Sequence, residues 1–236
     1  MRPAEAIRAV IIDLDGTLLD TATDLANAVN LMLGELGRPA LPEATVATYV
    51  GKGAEVLVHR SLGGHVDARV DEALHARGMA EFSRHYEVQN GLTAKPYAGV
   101  VEGLELMRAH GLRLACVTNK PQRYALPLLE RCGLAGHFEF VVGGDTLPRK
   151  KPDPLPMLHA AERLGAAPRH TVAIGDSIND ALAARAAGMT VFVVPYGYNE
   201  GHDVQTLDAD AIVSSLLDAA HRMAPASISS QNPARL

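Results

Sequence analysis

Two aspartates, Asp13 and Asp15, stand one residue apart directly after a run of apolar residues. An ionised carboxylate can attack phosphorus, and a protonated one nearby can donate its proton to the leaving alkoxide and later deprotonate water. The next residue, Gly16, lets the chain turn sharply at this point. The pair therefore predicts phosphoryl transfer through an aspartyl-phosphate, with Asp13 as the nucleophile and Asp15 as the general acid and base.

Polar residues follow other apolar runs in the same way, and one lysine precedes a predicted helix. The first are Thr118 and Asn119, and Asp176 with Asp180 a few residues later, and the lysine is Lys151. Acidic side chains packed together repel one another, so such a cluster normally holds a cation, and carboxylates without histidine or cysteine neighbours favour Mg2+ over zinc. The sequence predicts a Mg2+ site at which a phosphoryl group binds only when the metal offsets the carboxylate charge.

Strands and helices in alternation must position these residues. Short apolar runs predict strands at residues 9–14, 112–117, 138–142, 171–174, 190–194 and 211–213. Helical patterns lie among them at residues 122–132, 154–164, 180–187 and 214–223. This alternation predicts a doubly wound parallel α/β sheet. Ligands bind beyond the carboxyl ends of such strands, which is where the polar residues stand.

One long segment, residues 21–94, has no strand pattern. Its apolar residues recur at helical spacing and predict a helix that stops at Gly37, a second near residues 56–62 and a third over residues 70–86. We predict that this segment is an all-helical cap, inserted into an α/β core of residues 1–20 and 95–224. Two short linkers, residues 20–21 on entry to the cap and 93–97 on exit, are predicted to form a hinge. The polar tail, residues 225–236, is predicted to be disordered.

The composition excludes several classes of protein. The 236 residues carry 22 Lys and Arg against 27 Asp and Glu, a net charge of -5, with no basic run to follow a nucleic-acid backbone. The apolar run near the N-terminus is too short for a signal sequence or a membrane span. Cys116 and Cys132 match no metal spacing and are predicted to be buried free thiols. We expect a cytoplasmic protein that binds a small molecule, not nucleic acid or membrane, as a monomer or a homodimer.

Four short motifs occur in order along the chain, at residues 13–17 (DLDGT), 117–119 (VTN), 151–154 (KPDP) and 175–180 (GDSIND). They resemble the four ordered motifs of the haloacid dehalogenase superfamily phosphatases. The resemblance implies a Rossmann-like core, a helical cap after the first strand and Mg2+ as the cofactor. It also implies a role for each residue that matches a motif.

By this resemblance the nucleophile Asp13 and the acid and base Asp15 also bind Mg2+, Asp15 through its main-chain carbonyl. The resemblance further implies that Thr118 and Asn119 bind phosphate and that Lys151 neutralises charge. It implies that Asp176 is a metal ligand and that Asp180 supports it. Lys151 matches rather than the adjacent Lys150, because it directly precedes proline.

Within the superfamily, the chain resembles the phosphoglycolate phosphatases at residues 49–53 (YVGKG), 151–156 (KPDPLP) and 196–201 (YGYNEG). The resemblance implies hydrolysis of 2-phosphoglycolate to glycolate and phosphate. Because this substrate carries a carboxylate besides its phosphate, we predict that the cap binds the second charge. The predicted contacts are two cations and the amides around two glycines, namely Lys52, Arg60, Gly51 and Gly53.

Other functions stay open from the sequence. A phosphatase of another small phosphomonoester or of pyrophosphate would carry the same motifs, and so would a sugar-phosphate mutase similar to β-phosphoglucomutase. The non-enzyme alternative is a receiver-like module switched by phosphorylation, but that fold is about half as long and carries its phosphoacceptor after the third strand. Asp15 argues against a dehalogenase or a phosphonatase, which lack an acid at this position.

Overall fold

The computed structural model describes residues 7–224. Its strands are β1 (Ala9–Ile12), β2 (Leu19–Asp20), β3 (Lys95–Pro96), β4 (Arg113–Val117), β5 (Phe140–Val142), β6 (Thr171–Gly175), β7 (Thr190–Val193) and β8 (Ala211–Ile212). Its α-helices are α1 (Ala22–Glu35), α2 (Glu43–Ala47), α3 (Ala54–Gly63), α4 (Glu72–Gln89), α5 (Val100–Ala109), α6 (Gln122–Arg131), α7 (Leu155–Arg163), α8 (Ile178–Ala186) and α9 (Leu216–Arg222). The predicted tail, residues 225–236, lies outside the described residues.

Six strands form one parallel sheet in the order β5-β4-β1-β6-β7-β8. Strand β1 lies inside the sheet and every one of its residues is buried, as its unbroken apolar run predicts. The strand order reverses direction between β1 and β6, so that the chain leaves a crevice beyond the carboxyl ends of these strands. The predicted doubly wound parallel sheet is confirmed.

Helices cover both faces of the sheet, and β1 contributes to the core on each side. Val10 and Ile12 pack in one cluster with residues of α5, α6 and α9, whereas Ala9 and Ile11 pack in the other with residues of α7 and α8. Helix α5 was not predicted, because Gly103 in its middle lowers helix propensity and packing against α9 outweighs that cost.

The chain between β2 and β3 is helical, as predicted. Helices α1, α3 and α4 pack around their own apolar cluster, which includes Phe82 and Tyr86, and the short α2 was not predicted. Strands β2 and β3 pair antiparallel, with Leu19 opposite Pro96 and Asp20 opposite Lys95. These two-residue strands are too short to give a sequence pattern. They join the two linkers side by side, next to the predicted cap boundaries, which stay a prediction.

Along residues 7–224, no helix is long and apolar enough to cross a membrane. Both cysteines are free, as predicted, but only Cys116 is buried. Burial raises the pKa of the Cys116 thiol above its usual range. Cys132 is partly exposed, because it lies at the end of α6, and its thiol donates to the carbonyl of Ala94 at 3.6 Å.

Candidate active site

The carboxyl ends of β1, β4 and β6 meet at one cavity that is closed over by the helical insertion. The residues that line it come from the three strand ends, from the loop before α3 and from the loop after β7: Asp13, Asp15, Val50, Gly51, Thr118, Asn119, Lys120, Asp176, Ser177, Tyr198 and Asn199. The structure therefore brings together residues of three of the four motifs at the cavity wall. Two further predicted residues, Lys151 and Asp180, lie directly behind that wall.

Lys151 joins two of the carboxylates. Its ammonium Nζ lies 2.7 Å from Asp13 Oδ1 and 2.6 Å from Asp180 Oδ1, and it donates to the carbonyl of Val117 at 2.8 Å. The contact with Asp13 is an ion pair without hydrogen-bond geometry, so this buried Oδ1 has no hydrogen-bond partner among the described residues. Lys151 is itself almost fully buried. It supplies positive charge where two negative groups approach each other.

Asp176 is held by its neighbours on both oxygens. Thr17 Oγ1 donates to Asp176 Oδ1 at 3.1 Å and the backbone N–H of Tyr198 donates to Asp176 Oδ2 at 2.7 Å. Gly16, at φ +84°, adopts a backbone conformation that favours glycine, and a Cβ there would lie 2.5 Å from Asp176 Oδ2. The glycine of the first motif is thus required both by the turn and by the close approach of this carboxylate.

Asp180 lies in the first turn of α8, and protein donors hold its carboxylate. The backbone N–H and the hydroxyl of Ser177 both donate to Asp180 Oδ2, at 3.1 and 2.6 Å. Ser177 is the N-cap of α8, and the two residues form a capping box. Asp180 Oδ1 is bound by Lys151. Both oxygens of Asp180 are therefore bound by protein donors.

Three carboxylates of the site fit a divalent cation. Oxygens of Asp13, Asp176 and Asp180 lie within 4.8 Å of one another. Burial raises the pKa of Asp13 to about 8, with Lys151 acting in the opposite direction and the charges of Asp180 and Asp176 adding to the rise. Burial and the charge of Asp180 likewise raise the pKa of Asp176 to about 7. Lys151 alone does not offset this negative charge, and hard oxygens in such a cluster suit Mg2+.

Asp15 is paired with a residue that sequence analysis missed. Lys120 Nζ donates to Asp15 Oδ1 at 2.7 Å and to Oδ2 at 3.0 Å, while Thr21 Oγ1 donates to Asp15 Oδ1 at 2.8 Å. Lys120 also lies over the ring of Tyr86, 5.0 Å from its centroid. Burial lowers the pKa of Lys120, but Asp15 and Tyr86 outweigh it, so the pKa lies above its usual value and Lys120 is charged. Its position directly after Thr118-Asn119 was the available signal.

The predicted phosphate ligands line the cavity. Thr118 Oγ1 accepts from the backbone N–H of Lys120 at 3.1 Å. The side-chain amide of Asn119 donates to the carbonyls of Gly51 and Lys151, both at 2.9 Å. Asn119 thereby ties the loop before α3 to the core, while its buried Oδ1 has no partner among the described residues.

The predicted cap residues fall into two groups. Gly51 lines the cavity, and Gly53 lies against the backbone of Asn119, where a Cβ would be 3.0 Å from the Asn119 carbonyl oxygen. Lys52 and Arg60 instead bind a core residue, Glu200, each at 3.1 Å. Neither cation is among the residues that line the cavity. Their contact with substrate stays a prediction, and it would require these ion pairs to open.

The loop of residues 196–201 connects the site to the linker that enters the cap and to the cap itself. Besides binding Asp176, Tyr198 accepts at its hydroxyl from the N–H of Thr21 at 2.7 Å and donates to Asp20 at 3.0 Å. Asn199 lines the cavity and accepts from the N–H of Ile178 at 3.1 Å. Sequence analysis noted this loop only as a likeness and missed the roles of Tyr198 and Glu200, because their partners are far away along the chain.

Comparisons with known proteins identify the family of the chain. The family model for haloacid dehalogenase-like hydrolases matches residues 7–188. The chain is 54% identical over 214 residues to a phosphoglycolate phosphatase of Thiobacillus denitrificans, covering 91% of this chain and 94% of the relative. It is 56% identical over 213 residues to the phosphoglycolate phosphatase of Nitrosospira multiformis, covering 90% and 94%.

A solved structure shows the same fold. The crystal structure of a predicted phosphoglycolate phosphatase from Haemophilus somnus superposes with a TM-score of 0.86 at 32% identity, covering 92% of this chain and 97% of that one. The family match spans most of the chain and includes all four motifs. The chain is therefore an enzyme that belongs to the haloacid dehalogenase-like hydrolase family, and within it to the phosphatases.

Proposed function

We propose that this enzyme hydrolyses 2-phosphoglycolate to glycolate and phosphate, with Mg2+ as its cofactor and an aspartyl-phosphate on Asp13 as the intermediate. The observation that carries the proposal is that Asp13 and Asp15 line one cavity and that Asp13 clusters with the carboxylates of Asp176 and Asp180. Two relatives more than half identical to this chain bear the name phosphoglycolate phosphatase, which supports the choice of substrate.

The metal site consists of Asp13, Asp176 and the main-chain carbonyl of Asp15, with Asp180 supporting them. The clustering of the Asp13, Asp176 and Asp180 carboxylates supports this assignment. A bound Mg2+ would offset carboxylate and phosphate charge, so that the dianionic phosphate group of the substrate could approach Asp13. Lys151 contributes further positive charge from behind Asp13 and Asp180.

The reaction takes two steps at phosphorus. In the first, an Asp13 carboxylate oxygen forms a bond to phosphorus while the bond to the glycolate oxygen breaks, and Asp15 donates its proton to that leaving oxygen. In the second, Asp15 takes a proton from water as the water oxygen attacks phosphorus, and the bond to Asp13 breaks to release phosphate. Thr118 and Asn119 hold the phosphoryl oxygens, and Thr21 and Lys120 hold Asp15 in place.

The decisive test combines a nucleophile variant with metal removal. Asp13→Asn should lower kcat on 2-phosphoglycolate by more than about 10^4-fold, since removing a catalytic nucleophile has effects of that order. EDTA should abolish turnover by the unmodified enzyme and excess Mg2+ should restore it. Asp67→Asn, at an exposed position before α4, is the matched control and should keep full activity. Near-normal turnover by Asp13→Asn, or indifference to EDTA, would refute the mechanism.

The substrate is tested with a panel that contains 2-phosphoglycolate, pyrophosphate and β-glucose 1-phosphate. We expect the largest kcat/KM on 2-phosphoglycolate, with release of free phosphate. Formation of an isomerised sugar phosphate from β-glucose 1-phosphate would instead identify a mutase. A larger kcat/KM on pyrophosphate or on another phosphomonoester would keep the mechanism but reject this substrate.

A further inference from the structure

A second cavity adjoins the first and is of similar size, about 30 Å3 against about 20 Å3. The two cavities share Asp15, Val50, Gly51 and Lys120 in their walls. Since Asp15 must reach the leaving oxygen to protonate it, the part of the substrate beyond the phosphate has to lie next to Asp15. The adjoining cavity is the space available there. Its volume of about 30 Å3 has room for about two or three water molecules, so only a short leaving group fits.

The walls of this second cavity are largely apolar. Helices α1, α3 and α4 and the start of α6 contribute buried side chains that include Leu25, Leu57, Phe82 and Tyr86. A carboxylate buried among such side chains without a partner is costly, so a cation must meet it. Of the described residues that line either cavity, Lys120 is the only cation.

Lys120 has a donor to spare. Its ammonium group carries three N–H donors. Two of them account for the bonds to Asp15 Oδ1 and Oδ2, and the hydroxyl of Tyr86, whose ring centroid lies 5.0 Å away, has no hydrogen-bond partner among the described residues. The third N–H is therefore available to a negative group in the second cavity. Its side chain is 4% exposed, so a charge that reaches it is largely shielded from water.

The two cap cations are less suitable. Glu200 binds both, and Arg60 further donates through Nε to the carbonyl of Val66 at 2.7 Å and through Nη1 to that of Tyr49 at 3.0 Å. Arg60 is thus a buried cation, and each of its three guanidinium nitrogens binds a protein acceptor. Lys52 is 39% exposed and lines neither cavity.

We propose that Lys120 binds the carboxylate of the substrate and so selects phosphate esters of short hydroxy acids. This inference rests on the proposed function and names the residue that recognises the second charge. Lys120 then contacts both the substrate carboxylate and the residue that protonates its leaving oxygen. The apolar walls exclude larger sugar phosphates by their shape.

The test compares two substrates of equal length that differ in charge, 2-phosphoglycolate and 2-hydroxyethyl phosphate. The measured quantity is the ratio of their kcat/KM values. Loss of the Asp15 partner affects both substrates alike, so the ratio isolates the carboxylate contact, in the manner of a double-mutant cycle. Lys120→Met should lower the ratio by about 10- to 100-fold, the effect of losing a hydrogen bond to a charged group.

Two further variants make the outcome decisive. Lys120→Gln keeps an amide donor for Asp15 and should lower the ratio similarly, so the inference stays testable if Lys120→Met fails to fold in a thermal melt. Lys95→Met, the same change at an exposed position outside both cavities, should leave the ratio within about 2-fold of the unmodified enzyme, the size of an ordinary surface effect. An unchanged ratio in both Lys120 variants would overturn the inference, as would a fall in Lys95→Met as large as theirs.

The same measurements separate this inference from the proposed function. If the unmodified enzyme turned over 2-phosphoglycolate no better than 2-hydroxyethyl phosphate, the proposed substrate itself would be wrong. If it strongly preferred 2-phosphoglycolate and the Lys120 variants kept that preference, only the role of Lys120 would fail.

Discussion

Asp24 is a fully buried carboxylate at the junction between α1 and the linker that leaves the cap. It accepts four hydrogen bonds, from the N–H groups of Gly91, Thr93 and Ala94 and from the hydroxyl of Thr93, at 2.7 to 3.2 Å. These bonds fix the end of the helical insertion onto its first helix. The first prediction is that this single carboxylate holds the exit linker in place.

The size of the effect follows from the number of bonds. Asp24→Ala removes the acceptor of all four, and each intramolecular hydrogen bond contributes about 1 kcal/mol net, so the free energy of unfolding should fall by about 4 kcal/mol. Asp24→Asn keeps one oxygen for the two bonds from Thr93 but loses the bonds from Gly91 and Ala94. In this variant the free energy of unfolding should fall by about 2 kcal/mol. A loss of 4 kcal/mol is a large part of the total stability of a typical domain.

The assay is equilibrium unfolding in urea, followed by circular dichroism, together with hydrogen exchange at residues 91–94. Asp71→Ala is the matched control, because Asp71 is an exposed N-cap of α4 that accepts one backbone bond at 2.9 Å and should contribute about 1 kcal/mol. If Asp24→Ala cost no more than Asp71→Ala, and the amides of residues 91–94 stayed protected, the reasoning would be refuted.

Three further predictions concern the contact between Glu200 and Arg60 and the candidate metal site. Glu200→Ala should lower the free energy of unfolding by about 3 kcal/mol in urea, because it leaves the buried guanidinium of Arg60 without its carboxylate, and a loss under about 1 kcal/mol would contradict this. Gly16→Ala should weaken Mg2+ binding in calorimetry, since its Cβ would displace Asp176 Oδ2, and unchanged affinity would speak against that contact. Burial raises the pKa of Asp13 to about 8 and of Asp176 to about 7, so the metal-free folded state retains protons that the unfolded state loses near pH 4, and this stabilisation is lost as the pH rises towards 8. Mg2+ competes with those protons, so the increase in thermal stability on adding Mg2+ should grow with pH, and a pH-independent increase would be inconsistent with the buried cluster.

The sequence by itself determined the architecture and most of the residues that line the candidate site. Strand β1 is an unbroken apolar run followed by Asp13 and Asp15, and the alternation of such runs with helical patterns suffices to predict a parallel sheet with polar residues at one edge. The helical insertion was predictable because it lacks strand patterns over a long stretch. These features are local or periodic in the sequence, because the side chains that an element buries must recur at the spacing of that element.

Only the tertiary structure decided how charges are paired. Lys120 meets Asp15 across 105 positions of sequence, and Glu200 meets Lys52 and Arg60 across 148 and 140. No periodicity encodes such pairs, because each depends on how the helical insertion packs over the sheet. That packing uses Arg60 as a buried structural cation and places Lys120 beside the carboxylate of Asp15. The physical reason is that a side chain's spacing along the chain determines which face it occupies, whereas its charge partner depends on which elements meet there.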